Sequence, residues 1–162
     1  MPEVSPLLSV VHESRRLRIR FFSDMAAIDR VEAETRTFLT RQGLSHEAFS
    51  VCLVMREGLI NAVRHGNGDD PKKRVNYVLG FEDGLLTMEI EDEGDGFDWR
   101  TAVDRPPSME AEHGRGIIIM QRYASECRYN EKGNRVTLTK RCVAGTPPDI
   151  PGRAGDAATS SF

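Results

Sequence analysis

Along RLRIRF the apolar positions Leu17, Ile19 and Phe21 alternate with arginines, and a period of two with one apolar face predicts a strand. Directly after it Ile28, Val31, Thr35, Phe38 and Leu39 recur at steps of three and four, the spacing of a helix with one buried side. Ser23 is placed to cap that helix, Asp24 to favour its first turn and Gly43 to close it. A second helix opens at Ser45, with Glu47 in its first turn, and continues to about Gly66. After the polar turn GNGDDPKK, Val75, Tyr77, Leu79 and Phe81 alternate, Asp83-Gly84 offers a tight turn, and Leu86, Met88 and Ile90 alternate again, a hairpin with one buried face. Residues 97–113 show no sustained period and hold two adjacent prolines, so they read as a long loop, a kind that is usually functional inside a compact domain. GRGIIIMQRYAS returns to helix, and two short strands at about 126–130 and 134–141 are joined by Lys132-Gly133.

The order β-α-α-β-β-loop-α-β-β predicts an α+β fold, a two-layer α/β sandwich whose mixed, mainly antiparallel sheet is covered by helices on one face. Strict βαβ alternation is missing, which argues against a Rossmann-type sheet. With 162 residues, 39% of them hydrophobic, the chain has room for one domain of ordinary size. That domain is placed at 15–141, behind an extension over 1–14. Residues 142–162, rich in Pro, Gly, Ser and Ala, read as a disordered tail. The net charge is −3 and the basic residues are scattered, so nothing calls for a nucleic-acid groove or a membrane surface, and neither partner is expected. The first apolar run is broken by His and Glu and followed by its arginines, the wrong order for a secretory signal, and no stretch approaches the roughly 20 apolar residues that span a bilayer. Cys52, Cys127 and Cys142 are odd in number, far apart and without a C-x-x-C pair, which points to a reduced, cytoplasmic protein rather than a disulfide framework or zinc knuckle.

The chemistry is concentrated in three places. On the second helix, Glu57, Asn61 and His65 stand at four-residue steps within roughly an 80° arc, with Cys52, Met55, Leu59 and Val63 near the opposite side. Such a stripe is also what a solvated helix face shows. Asparagine, however, is a poor helix former, and a carboxylate one turn from an amide oxygen can position a proton acceptor beside a hard cation. At the end of the hairpin's second strand, Asp92-x-Gly94-x-Gly96 puts a carboxylate where the strand stops and glycines where the backbone bends. An EF-hand reading fails, because starting at Asp92 puts Gly94 in a ligand position and starting at Glu91 puts Ala102 where the bidentate Glu belongs. Third, Gly114 and Gly116 sit at a helix N-terminus, whose unpaired N–H groups suit a phosphate, although no G-K-[ST] follows to make a Walker A loop.

Taken in order, E-x-x-x-N-A-x-x-H-G, D-x-G-x-G, G-x-G-I at a helix start and G-x-x-V-x-L-x-K in the last strand resemble the GHKL family of ATP-binding domains, named for gyrase, heat-shock chaperone, histidine kinase and MutL. Within it the chain looks most like the small anti-sigma factors of the RsbW and SpoIIAB type, which are serine protein kinases. The resemblance covers about residues 15–141 and implies ATP and Mg²⁺ as cofactors. It implies Glu57 as general base, Asn61 as Mg²⁺ ligand, and His65 and Gly66 beside the phosphates and the helix end. Asp92 would accept a hydrogen bond from the adenine amino group, with Gly94 and Gly96 leaving room for the base. Gly114, Arg115, Gly116 and Ile117 would meet the nucleotide, the first three at its phosphates, and 97–113 would form the ATP lid. The family often has Gly-Thr opening its last strand; here Gly133 is followed by Asn134 and Arg135, and Asn134 would substitute as the polar contact. The implied partners are a STAS-domain anti-anti-sigma factor as phosphoacceptor, an RNA polymerase sigma factor held inactive, and a second copy of the chain in a homodimer. Two other readings share the motifs: an ATP-binding switch without phosphotransfer, and a histidine-kinase catalytic domain acting in trans.

Overall fold

A computed structural model describes residues 8–98 and 112–145. The predicted strand is β2, Arg16–Phe22, and it is followed by α1, Ala27–Arg41. A single turn of tighter helix, Ser45–Glu47, leads into α2, Ala48–Ile60, which continues as a stretch of π-helix over Asn61–Gly66. The hairpin is β3, Arg74–Glu82, and β4, Leu85–Asp92; then come α3, Glu112–Tyr123, β5, Glu126–Tyr129, and β6, Arg135–Arg141. One strand is not foreshadowed by the pattern: β1, Leu8–His12, within the stretch that reads as an extension. It pairs with β2, placing Leu8 opposite Phe21 and Val10 opposite Ile19, and His12 reaches Glu34 of α1 at 2.7 Å.

The six strands form one open sheet in the order β1-β2-β3-β4-β6-β5, and all five pairings are antiparallel. The α+β sandwich is therefore found, while the parallel component expected of a mixed sheet survives only as a direction. β4 and β5 run the same way with β6 between them, so α3 crosses over without creating a parallel pair.

The alternate, inner positions of the four adjacent strands β2, β3, β4 and β6, Leu17, Ile19 and Phe21, Val75, Tyr77 and Leu79, Leu86, Met88 and Ile90, Val136 and Leu138, are all buried under the helices. α2 packs between α1 and α3. Tyr77, on the central strand β3, is fully buried, and its hydroxyl is satisfied by a 2.9 Å hydrogen bond with Thr35 of α1, which explains a threonine in that helix's apolar stripe. Glu47, at the start of α2, accepts from the Tyr123 hydroxyl of α3 at 3.3 Å and from Lys140 of β6 at 3.2 Å. On the opposite side of α2, Arg56 donates to Asp29 and Glu32 of α1, both at 2.8 Å.

The local signals at the turns behave as their chemistry dictates. Asp83 (φ 51°) and Gly84 (φ 76°) are both left-handed, the turn that matches the twist of a two-residue hairpin. Gly43 (φ 74°) ends α1, with its N–H on the Thr40 carbonyl and that of Leu44 on the Leu39 carbonyl. Ser23 does not cap α1. It is buried, its hydroxyl donates to the Lys73 carbonyl and accepts from Asn67, and the turn before α1 is held instead by the Asp24 carboxylate accepting from the Ala26 N–H at 2.9 Å.

Cys52 and Cys142 are buried and Cys127 half-buried, all three free. Burial pushes each thiol up, that of Cys127 to about 11. Among the described residues no helix is long and apolar enough to cross a membrane. The predicted tail beyond residue 145 and the body of the predicted lid, 99–111, lie outside the described residues.

Candidate functional site

Two of the three stretches singled out in the sequence, the end of α2 and the turn after β4, line one cleft together with the β5–β6 turn; α3 lines it through Met120, and Glu57, Gly116 and Ile117 do not line it. Asn61, His65 and Gly66 line it from α2, Asp92 and Gly96 from the end of β4 and the turn beyond it, and Gly133 and Asn134 from the last turn. Glu57 stands one turn before Asn61, half-buried. The π-helical stretch begins at Asn61 itself, with the Asn67 N–H reaching back to the Ala62 carbonyl at 2.8 Å. Such stretches are rare and cluster at functional sites. His65 is exposed and Asn61 half-buried, and both line the cleft.

Asp92 is held from three sides. Its Oδ1 accepts from the Gly94 N–H at 2.8 Å, its own N–H donates to the Asn134 carbonyl at 2.9 Å, and the Asn134 side chain returns to the Asp92 carbonyl at 2.9 Å. Burial raises the carboxyl above its ordinary value, helped by Glu91 and opposed by the Gly94 N–H, Lys132 and Lys73. Asn134, the departure from Gly-Thr, thus fixes the strand end that carries Asp92. Asn130 supports the same turn, its Oδ1 accepting from the N–H groups of Gly133 and Asn134 at 2.9 and 3.0 Å.

The glycines have distinct reasons. A Cβ on Gly66 would overlap the Asp92 carboxylate, and one on Gly94 would overlap the Gly66 carbonyl, so these two let the end of α2 press against the end of β4. Gly94 is buried in that contact and does not line the cleft, whereas Gly96 (φ 82°) lines it while lying against the Lys132 carbonyl. The space beside both is filled by the chain's own backbone. α3 begins two residues earlier than the pattern predicts, so Gly114 stays within the first turn, where N–H groups lack intrahelical partners, and Gly116 lies past it. Gly116 instead faces α2: a Cβ there would stand 2.9 Å from Glu57 Oε2 and 3.2 Å from Asn61 Nδ2. Ile117 packs in the core at 3% exposure and holds α3 against the sheet rather than lining the cleft. The side chain of Arg115 lies outside the described residues.

Several contributors carry no mark in the sequence pattern. Phe97 and Tyr129 meet edge to face, with ring centroids 5.0 Å apart, and both line the cleft with Ile90, Met120 and Val136. Gly58 also lines it and lets Ile90 pack close, since a Cβ there would overlap that side chain; it alone of these leaves a trace in the sequence, as a glycine inside a helix costs about 1 kcal/mol relative to Ala. Asn67 is 2% exposed: its side chain donates to Ser23 Oγ (2.8 Å) and the Arg74 carbonyl (3.0 Å) and accepts from the Glu93 N–H (2.8 Å), joining α2, β2, β3 and the turn after β4. Arg135 stands at the rim, 3.5 Å from Glu91.

Among the described residues no group of three or more His, Cys, Asp or Glu could hold a metal by itself. Asn61 lines the cleft and carries an amide oxygen, the kind of donor that suits a Mg²⁺ ion taking only one or two ligands from protein and the rest from phosphates and water.

The fold and this cleft are those of a nucleotide-binding domain, and residues 21–140 match the model of the histidine kinase-like ATPase domain; the chain belongs to that family of ATP-binding domains. It is similar to the anti-sigma F factors of Geobacillus stearothermophilus and Geobacillus kaustophilus (strain HTA426), each 28% identical over 96 residues, and of Geobacillus sp. (strain WCH70), 29% identical over 96 residues. Each match takes in 56% of this chain and 65% of the relative's length.

Proposed function

We propose that the protein is an ATP-dependent protein serine kinase of the anti-sigma type, which phosphorylates a STAS-domain partner and in its other state holds an RNA polymerase sigma factor inactive. The observation that carries this reading is the meeting of Glu57 and Asn61 at Gly116, a carboxylate beside the carboxamide of a residue that lines the cleft. Simple ATP binding has no use for a proton acceptor beside the phosphates. Likeness to anti-sigma F factors supplies the partner class.

In this reading Asp92 reads the adenine amino group and Asn61 holds Mg²⁺, which neutralises phosphate charge when bound. Glu57 takes the proton of the acceptor hydroxyl as its oxygen bonds to the γ-phosphorus, and the bond from that phosphorus to the bridging oxygen breaks to release ADP. The domain works as a homodimer in the cytoplasm, where sigma factors act.

The test is to mix the protein with Mg-ATP and a STAS-domain protein from the same genome and to read phosphoserine by intact mass. A gain of one phosphoryl group is expected, whereas ATP binding with no mass shift on any such partner assigns the chain to a switch without phosphotransfer. Asn61→Ala should abolish Mg-ATP binding, whereas Glu57→Ala should keep nucleotide and lose phosphotransfer. Equal loss of binding in both variants would sink the division of roles.

A further inference from the structure

The helices cover one face of the sheet, and the open face carries charge that the cleft does not use. On β2 the positions between the buried Leu17, Ile19 and Phe21 are Arg16, Arg18 and Arg20, all exposed on that open face. They stand about 7 Å apart, a row of three guanidinium groups about 13 Å long. Arg74 of β3 extends it, stacked on Phe22 at 5.0 Å from the ring centroid. The neighbouring strands give the row nothing to pair with: Val11 and Val78 flank Arg18, Ser9 and Asn76 flank Arg20, and Gly80 faces Arg16. Among the described residues Arg18 reaches Glu13 at 3.5 Å, while Arg16 and Arg20 make no ion pair. On a chain of net charge −3 such a gathering of one sign is a local field, and like charges in a row repel until an anion joins them.

Gly80 is a second, independent observation. A Cβ there would meet only the Arg15 carbonyl, at 3.7 Å, an ordinary contact, so the fold itself has no need of glycine inside β3. A glycine within a strand weakens it and marks a place where another backbone comes close. We propose that this row binds an acidic segment of a protein partner, an extended stretch with Asp or Glu at every second position, laid along β2 with its backbone close beside Gly80. Carboxylates at alternate positions of an extended chain repeat at the same step of about 7 Å as the arginines and accept bidentate hydrogen bonds from them. The width of the row separates such a segment from a larger polyanion. Glu89 and Glu91 of β4 lie opposite Val78 and Asn76, two strands and about 10 Å from β2. A nucleic-acid duplex or an anionic bilayer covers more than one strand and would press its phosphates on those carboxylates, whereas a single extended segment does not.

The experiment is fluorescence anisotropy on the full chain with a labelled synthetic peptide of alternating Glu and Thr. Its comparison ligands are a peptide of the same composition with the glutamates in one block, a single-stranded DNA of similar length and phosphatidylserine vesicles. The alternating peptide should bind about threefold or more tighter than the block peptide, and the triple variant Arg16→Thr, Arg18→Thr, Arg20→Thr should weaken it about tenfold or more. That variant should keep its ATP affinity, because none of the three lines the cleft, and should melt no lower than wild type, because it removes like charges from an exposed face. Gly80→Thr should raise the melting temperature yet weaken the peptide about threefold or more, and it decides alone if the triple variant fails to fold. Absence of peptide binding, equal affinity for the two peptides, tighter binding of DNA or vesicles, or a peptide affinity unmoved by the variants overturns the proposal.

Discussion

A missing side chain at residue 116 carries as much of this site as the side chains present. Gly116→Ala adds a methyl 2.9 Å from the Glu57 carboxylate, a flexible group that can swing aside, and alanine also favours the helix. The variant should fold with an equal or higher melting temperature, keep ATP affinity within a few-fold and lose about tenfold or more in phosphotransfer. Single-turnover assays beside thermal melts would check this, and unchanged phosphotransfer would contradict the placement of Glu57. Asp92 gives a second prediction at the same scale. Burial raises its carboxyl, so the folded chain holds that proton more tightly than the unfolded one. Stability from this group is therefore lost as pH rises from the ordinary carboxylate range through the raised value. Asp92→Asn removes that loss: the variant should melt higher than wild type at pH 7, the difference closing toward pH 3, while ATP affinity falls. An ATP affinity equal to wild type by calorimetry would contradict the adenine role.

At the scale of elements, periodicity reveals what packing against the sheet demands and misses what tertiary contacts impose. The buried faces of β2, α1, β3 and β4 are legible because each repeats over several residues. The π-helical stretch is not, since Asn61 and His65 keep a four-residue spacing that an ordinary helix also satisfies. β1 escapes notice because it is five residues long, and its inner positions, Leu8, Val10 and His12, are only partly buried at the sheet's edge. The site obeys the same rule. Glu57, Asn61 and Asp92 announce themselves as polar residues in unusual company, but Asn67, in a run of polar turn residues, has nothing local to mark it. Its three side-chain hydrogen bonds make Asn67→Ala a severe change, expected to cost about 2 kcal/mol or more in denaturant unfolding and to weaken ATP binding by loosening Glu93 beside Asp92. A variant as stable as wild type would show that water replaces those bonds.

For the molecule as a whole, the sheet divides the labour. The cleft draws on β4, β5, β6, α2 and α3, whereas β1 and β2 form the other edge. Removing residues 1–12 strips the edge strand and the cover that Leu8 and Val10 give the core, at an expected cost of about 2–4 kcal/mol. ATP affinity should stay within about twofold, because no cleft residue belongs to that strand; a large loss of affinity would mean that the two edges are coupled through β3.

The state of the thiols has a practical consequence. With Cys127 pushed up to about 11 and Cys52 and Cys142 raised by burial, only a very small fraction of any native thiol is reactive thiolate at pH 7. A cysteine introduced on the exposed hairpin end, as in Glu82→Cys, would stand about 25 Å along the sheet from Asp92 and react first with a maleimide dye. The protein can therefore be tethered or made fluorescent at a point remote from its nucleotide without first being stripped of its own cysteines.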